Sequence, residues 1–452
     1  MLWANLARGI TILSESTAAT SEKATGFRWV VLGLVFFITM VNYLDRSAIS
    51  YAITDIKSEF GLNDQDFGFV ASAFGIGYMI MTVAGGIVVD KWGSHKIWAA
   101  AAFLWSACTA MMGLASGFWI LFVLRTLLGI AEGPHFPALT RVVADWLPMS
   151  ERGRSTALGL AAVPLASVIG APLITSLIFH MGWKVMFVIL GSLGIVWAAV
   201  WLIVFKDYPE LCRFVNETEL KHIREGRSVD RNRTGEEIRQ QERMDGATTW
   251  KFMLLNPSLL ANNLAFFSFG YILFFALTWL PGFLEETYHL QLKQVGVFLI
   301  APWLTAGILL ASAGFLSDWL WHKTGSARKA RSHMIWICQL LSALSFIPVM
   351  FTNDLTVAIT SISLGVGFGL MPNAAFYALN CDLAKDRAAT SQGIMNCCFA
   401  MAGILAPAVT GILVHHTGNF NAPFGLLVVL SLMSVLAVLF FQKPDEHLNK
   451  NA

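Results

Sequence analysis

Hydrophobic runs close to the length of a bilayer alternate with short polar breaks along almost the whole chain. A helix crossing the hydrocarbon layer needs about 20 mostly apolar residues. Twelve runs meet that requirement, at 28–52, 65–89, 95–115, 118–143, 153–180, 182–206, 257–284, 293–320, 331–351, 354–381, 388–415 and 421–441. A long polar stretch, 206–251, separates the sixth from the seventh; it is rich in Arg and Glu, and 217–226 has helical character. Residues 1–27 are polar and rich in small side chains, and the apolar piece 10–13 is too short for a signal-peptide core. The pattern predicts an all-α membrane protein with twelve transmembrane helices in two six-helix, pseudo-symmetric halves. Its expected divisions are a disordered cytosolic tail (1–27), a first bundle (28–206), a cytosolic central loop (207–256), a second bundle (257–441) and a C-terminal cytosolic tail (442–452).

Charge fixes the expected orientation, because loops on the cytosolic side carry an excess of Lys and Arg. With both termini inside, 26 of the 31 basic residues fall in inside segments, and only Lys57, Lys184 and Lys293 fall outside. Composition agrees: 56% of residues are hydrophobic and 13% charged, against about 25% charged in soluble domains. No basic run alternates with aromatics, so nothing suits nucleic acid. The six cysteines (Cys108, Cys212, Cys338, Cys381, Cys397 and Cys398) avoid the outside segments and form no C-x-x-C pair. Neither a disulfide framework nor a metal site is implied, and no cofactor is expected.

The remaining two basic residues, Arg46 and Arg125, lie inside spans, and each has an acid nearby. Asp45 and Arg46 are adjacent in the first span; Arg125 and Glu132 are seven apart in the fourth, on one helix face. An ionisable residue at membrane depth costs about 2.5–3.5 kcal/mol on insertion scales, and it marks a pathway by default. A guanidinium stays charged and its planar fork matches a carboxylate, so Arg46 and Arg125 suit a substrate anion. A buried carboxylate near an Arg is pulled both ways in pKa, so Asp45 and Glu132 suit proton coupling. The bland reading is a set of internal ion pairs that fixes helix register. His135, three residues after Glu132, fits a relay or a packing role, and Tyr43 and Tyr78 fit hydrogen bonding into a cavity or aromatic packing. Asn262, Asn263, Asn373, Asn380, Gln392 and Asn396 fit substrate contact or helix bridging. Being adjacent, Asp45 and Arg46 point about 100° apart, so Asp45 is expected to face neighbouring helices and Arg46 the cavity.

A local pattern occurs twice. Gly86-Ile-Val-Val-Asp90-Lys91-Trp92-Gly93-Ser94-His95-Lys96 follows the second span, and Gly314-Phe-Leu-Ser-Asp318 follows the eighth, with Lys323 and Gly325 beyond. Such repeats accompany transporters with a site at the repeat interface. An Asp at the end of a helix opposes the helix dipole unless it is paired or caps the next helix. Gly86, Asp90, Lys91, Gly93 and Asp318 are therefore read as parts of an inside gate.

The Gly86 to Lys96 loop and the span plan resemble the major facilitator superfamily. Tyr43-Leu44-Asp45-Arg46, Arg125…Gly129…Glu132…Phe136-Pro137, Trp146-Leu147-Pro148…Glu151-Arg152-Gly153 and Trp279-Leu280-Pro281-Gly282-Phe283-Leu284 resemble the anion:cation symporter family within it. That family includes bacterial proton-coupled carriers of galactonate, glucarate and hexuronates, and animal relatives such as sialin. The resemblance implies that Asp45 and Glu132 are proton-coupling acids and that Arg46 and Arg125 form the anion site. It further implies that Tyr43, Tyr78 and Asn396 contact substrate. Leu165 stands where the galactonate branch has a substrate-contacting Gln, and Phe376 where it has a substrate-contacting Trp, which makes the pocket more apolar. The expected function is import of an organic anion, a carboxylate such as a sugar acid, by proton symport and alternating access. The alternative is a proton-driven exporter of a drug-like or secreted metabolite, faintly suggested by Gly170-Ala-Pro172. The spans hold no nucleophile–base set for an enzyme. The expected setting is a lipid bilayer, that of a bacterial inner membrane, with the chain working as a monomer.

Overall fold

A computed structural model describes residues 23–224, 250–384 and 388–445, and every regular element among them is helical. The first group of helices is α1 (Phe27–Tyr51), α2 (Ile53–Phe60), α3 (Asp64–Trp92), α4 (Ser94–Met112), α5 (Phe118–Glu132), α6 (His135–Trp146) and α7 (Met149–Val204). Two short helices follow, α8 (Glu217–Arg224) and α9 (Trp250–Leu255). The second group is α10 (Pro257–Tyr288), α11 (Leu292–Phe298), α12 (Ile300–Thr324), α13 (His333–Phe346), α14 (Leu355–Leu370), α15 (Asn373–Ala384), α16 (Ala388–Thr417) and α17 (Asn421–Phe441).

Sequence chemistry sets the boundaries. Asn63 caps α3 by accepting from the Asp66 backbone N–H at 2.8 Å, and the Asp66 carboxylate accepts in return from Asn63 N–H. Asn256 and Asp354 cap α10 and α14 by accepting from backbone N–H groups of the first turn, without a return bond, and Pro257 takes the first position of α10. Gly93 (φ 84°) parts α3 from α4, and Gly182 (φ 81°, ψ 158°) bends the long helix α7. The predicted segments 153–180 and 182–206 are thus one helical stretch with a break at Gly182. Among the described residues, eight helical stretches are long and apolar enough to cross a membrane, or nine if the bent pair Asp64–Thr82 and Ala84–Trp92 counts as one span. The predicted segment 118–143 fails the length criterion because Gly133 and Pro134 divide it into α5 and α6, of 15 and 12 residues.

The helices approach closely where glycines remove side chains. A Cβ on Gly77 would stand 2.0 Å from the Thr126 carbonyl oxygen, and one on Gly129 2.1 Å from that of Phe74. Gly133 meets Met81 and Gly85 meets Pro134, so α3 and α5 share a reciprocal seam of the small-xxx-small kind. A second seam ties the two groups together: Gly75 abuts the Gly403 backbone, and Gly68 abuts Pro407 and Gly411.

That second seam continues into polar bonds at one end of the molecule. Lys57 Nζ reaches Asp64 at 2.5 Å and Glu286 at 2.7 Å, and Thr54 donates to Glu285. The Trp279 indole donates to the Pro407 carbonyl at 3.2 Å. At the opposite end a cavity of about 680 Å³ opens between α3 and α6, lined by Gly86, Asp90, Pro137, Arg141, Asp145 and Tyr208 among others.

Residues 1–22, 225–249 and 446–452, predicted as tails and part of the central loop, lie outside the described residues. The start of the loop does have the expected helix, which runs from Glu217 to Arg224, and it docks on α1. Gly26 offers α1 no side-chain cap. Glu219, fully buried, supplies one by accepting from Phe27 N–H and Arg28 N–H, both at 3.0 Å. Thr25 and the Arg28 side chain also donate to it, and Arg28 bridges onward to Glu151 at 3.0 Å. Burial raises the Glu219 pKa, but these donors outweigh it and hold the carboxyl below its ordinary value of 4.5.

Two outcomes follow. Gly129→Val forces α5 off the Phe74 carbonyl, and this overpacking costs about 1–3 kcal/mol; the check is a lower thermal midpoint for the detergent-purified protein. Glu219 has a depressed folded-state pKa, so its stabilisation is complete above pH 4.5 and is lost as pH falls through the folded value. Glu219→Gln therefore lowers the midpoint at neutral pH and shrinks its fall on acidification, measured between about pH 7 and pH 4.

Candidate functional site

Arg46 on α1 and Glu132 at the end of α5 meet in a bond of 2.6 Å from Nε to Oε2. Both are buried, Arg46 at 5% exposure and Glu132 at 0%. The guanidinium is enclosed by rings: Tyr43, Phe74 and Tyr78 lie 4.8, 4.9 and 4.8 Å from its carbon. Tyr43 comes from the preceding turn of α1. Phe74 and Tyr78 are four apart on α3, so they share one face and stack at 5.6 Å. The glycine seam brings them here, because Gly129 allows α5 to touch the backbone of both Phe74 and Tyr78. Each ring face attracts a cation, by about 2 kcal/mol or more when desolvated.

Arg125, seven residues before Glu132 on the same face of α5, lies over the Phe74 ring at 5.2 Å and donates to the Arg46 carbonyl at 3.5 Å. Arg46 Nη2, Arg125 Nε and Glu132 Oε1 are buried without a hydrogen-bond partner among the described residues. Asp45 faces elsewhere. Its carboxylate is fully buried beside Thr109 of α4, within electrostatic reach of Glu132, and neither oxygen has a hydrogen bond of ordinary geometry. The structure therefore gathers Arg46, Arg125, Glu132, Tyr43 and Tyr78 around one point, with Asp45 to one side beside Thr109.

The remaining predicted site residues are more scattered. Asn396 on α16 accepts from the Tyr377 hydroxyl at 3.3 Å. Tyr377 is within electrostatic reach of Tyr43 and Tyr78; sequence reasoning missed it, since one tyrosine in an apolar run carries no signal. Phe376 is fully buried against Phe266 and Phe269, at 5.3 and 5.9 Å. Leu165 is 39% exposed and shares an exposed apolar stripe of α7 with Leu158, Ile169 and Leu173. His135 sits in an aromatic box. It accepts from the Trp98 indole at 3.3 Å, with Trp105 and Phe136 rings at 5.7 and 4.9 Å.

Of the residues read as a gate, Gly86 and Asp90 line the far cavity. Arg141 caps the end of α3 by donating to the Val89 and Asp90 carbonyls at 2.6 and 2.8 Å. The Asp90 side chain is 84% exposed, with Arg141 at 3.9 Å. Lys91 stands over Trp92 at 5.3 Å. Gly86 leaves open space towards Pro137, whereas a Cβ on Gly93 would strike the Asp207 carboxylate, which accepts from His95 N–H at 2.9 Å. Asp318 falls within α12, and its side chain lies outside the described residues.

The model of the Major Facilitator Superfamily matches residues 35–391 and again 325–452. The chain belongs to the major facilitator superfamily. Among curated relatives of this superfamily member is a probable sulfoacetate transporter of Cupriavidus necator, 32% identical over 93% of this chain and 96% of the relative. A hexuronate transporter of Bacillus subtilis is 31% identical over 92% and 94%. A probable galactarate/D-glucarate transporter of Bacillus subtilis is 33% identical over 94% and 93%. The fold is shared with a bacterial homologue of the human lysosomal transporter Spinster, crystallised inward-facing and unoccupied, at TM-score 0.73 and 17% identity over 94% of this chain and 98% of that one. The superfamily member described here is thus a multi-pass integral membrane protein and a transporter, not an enzyme, and its relatives are named for small organic anions.

Breaking one side of a buried ion pair costs about 3–5 kcal/mol, because the other charge is stranded. Arg46→Met alone is therefore expected to lower the thermal midpoint more than Arg46→Met combined with Glu132→Gln, and a double-mutant cycle in detergent measures the difference.

Proposed function

We propose that this transporter imports an organic anion with protons by alternating access. The carrying observation is that Glu132 occupies Arg46, while Arg46 Nη2 and Arg125 Nε are buried with nothing to bind. An anion and the Glu132 carboxylate then compete for one guanidinium. Protonation of Glu132 frees Arg46, and the substrate's charge replaces the one that was neutralised. Proton and anion thus favour each other's binding, which is reciprocal by linkage. Asp45, fully buried within electrostatic reach of Glu132, is the second proton acceptor. The relatives' organic-anion names support the substrate class.

In this reading the chain has twelve spans, in bundles 28–206 and 257–441 around the central loop 207–256, with the connector and both termini cytosolic in a bacterial inner membrane. The broken pair α5 and α6 makes one span, and α7 makes two. The Lys57 and Glu286 end is then the outer face, closed, and the Asp90 and Arg141 cavity opens inward. Tyr43, Tyr78, Asn396 and Phe376 border the substrate. Gly86, Asp90, Lys91, Gly93 and Asp318 act in closing the inner face, where Asp90 gains partners in the opposite state. The chain functions as a monomer.

Reconstituted in liposomes, the Glu132→Gln variant is expected to bind and exchange anion as the neutral form does, and to lose accumulation driven by an imposed pH gradient. Accumulation at the wild-type level by that variant would rule out the coupling role.

A further inference from the structure

Asn42 on α1 is fully buried, and neither its amide nitrogen nor its amide oxygen has a hydrogen bond of ordinary geometry among the described residues. An amide brings two N–H donors and an acceptor, and leaving them unpaired in a dry site is disfavoured. The helix decides what these atoms face. At about 100° per residue, Asp45 stands about 60° to one side of Asn42 and Arg46 about 40° to the other, each about one turn further on. Asn42 thus occupies the sector between the two diverging side chains. Side chains on a helix lean towards its N-terminus, which is the direction of Asn42 from both.

Unpaired carboxyl oxygens border that sector. Arg46 Nε holds Glu132 through Oε2 at 2.6 Å, while Oε1 is unpaired and the Asn42 amide lies within reach of the carboxyl. Both Asp45 oxygens are unpaired as well, with Thr109 alongside and Glu132 in electrostatic reach. Two ionised acids would offer the Asn42 oxygen no donor. One proton removes the mismatch, because the protonated acid can donate to Asn42 Oδ1 while Asn42 Nδ2 donates to the ionised one.

We infer that Asn42 is a positioning residue that ties the protonation of Asp45 to that of Glu132 through the orientation of its amide. With the oxygen towards Asp45 and the nitrogen towards Glu132, the proton sits on Asp45 and Glu132 stays ionised on Arg46. With the amide turned over, the nitrogen faces Asp45, the proton sits on Glu132, and Arg46 is released to the anion. Each orientation favours one proton on the two acids over none or two, since a bond donated to an ionised carboxyl favours that form and a bond accepted from a protonated one favours the other. The inference rests on the proton-coupling reading and specifies how its two acids communicate. The other titratable groups around this spot are Arg46 and Tyr43 on α1, Tyr78 on α3, Cys108 on α4, Arg125 on α5 and His135 on α6. Tyr271 on α10 faces Thr410, and α7 carries no titratable side chain in 155–179 or 185–204. None of these groups adds a carboxyl.

The test is infrared difference spectroscopy of the purified full-length protein between about pH 4 and pH 10, following the carboxyl bands that Asp45→Asn and Glu132→Gln each remove. In the unsubstituted protein the two acids are expected to take up protons in separate steps. Asn42→Leu and Asn42→Ala both delete the amide but leave different volumes. Each is expected to bring the steps closer by at least about one pH unit, the scale of one hydrogen bond to a charged group. A packing role for Asn42 would move both steps in the same direction and keep their spacing. Unchanged spacing in either folded variant overturns the bridge and leaves the coupling reading standing. If neither Asp45→Asn nor Glu132→Gln removes a titrating carboxyl band, both are overturned.

Discussion

A charge cannot stand alone in the hydrocarbon layer, and the Arg46–Glu132 bond is how this protein meets that constraint. At 2.6 Å, with both groups buried, neither partner can be removed or neutralised without stranding the other. Much of the first group of helices serves that bond. Glycines at 77, 85, 129 and 133 let α3 and α5 approach to backbone contact. That approach places Phe74 and Tyr78 on the guanidinium, and α1 contributes Tyr43 from the turn before. The small residues of the seam and the charged residues of the site are one arrangement: without the first, the rings of the second could not reach.

The same constraint links occupancy to shape. Arg46 lies on α1, which ends at Tyr51; α2 follows after Ala52 and contributes Thr54 and Lys57 to the seal with Glu285 and Glu286. Eight residues separate Arg46 from Thr54, about 12 Å of helix at 1.5 Å per residue. In the transport cycle proposed above, exchanging Glu132 for an anion on Arg46 alters the load on a helix whose far end joins the two bundles. The Gly75–Gly403 and Gly68–Gly411 contacts lie on the same surface, between the Arg46 cage and the seal. A tilt between the groups therefore must open these backbone contacts together with the ion pairs. Side-chain bonds such as Lys57–Glu286 give that surface discrete closed partners, and glycine contacts give it a shape that fits in only one register.

The charged half of the site was legible because membranes make ionisable residues rare: Asp45, Arg46, Arg125 and Glu132 stand out from any apolar run, and the seven-residue spacing of the last two fixes a shared face. The divergence of Asp45 and Arg46 followed from helix geometry alone. The aromatic cluster of the second group of helices was not legible. Phe266, Phe399 and Tyr377 look like any core aromatic, and only the tertiary crossing of α10, α15 and α16 brings them together. Leu165, carried over by resemblance, falls on an exposed apolar stripe of a helix whose rotation the sequence pattern does not encode. Helix existence was clear throughout, but lengths were not, because Gly133–Pro134 shortens one predicted span and Gly182 fuses two. The clasp of Glu219 on the start of α1 has no local signal either, as donor and acceptor are 191 residues apart.

In the proposed cycle, the three rings around Arg46 also account for how its guanidinium would serve as an anion anchor. A desolvated cation usually needs a full set of acceptors, and Glu132 satisfies only its Nε. The quadrupoles of Tyr43, Phe74 and Tyr78 supply negative potential over the faces of the guanidinium while leaving its edge free. The edge is where Nη2 points without a partner, and it is also where a carboxylate binds a guanidinium. A cage of carboxylates or carbonyls would have stabilised the charge equally well but would have consumed those donors. Rings hold the charge and leave the hydrogen bonds unspent. The cage thus separates two tasks that a polar pocket would confuse, keeping an arginine charged in a dry site and keeping it available to a second anion.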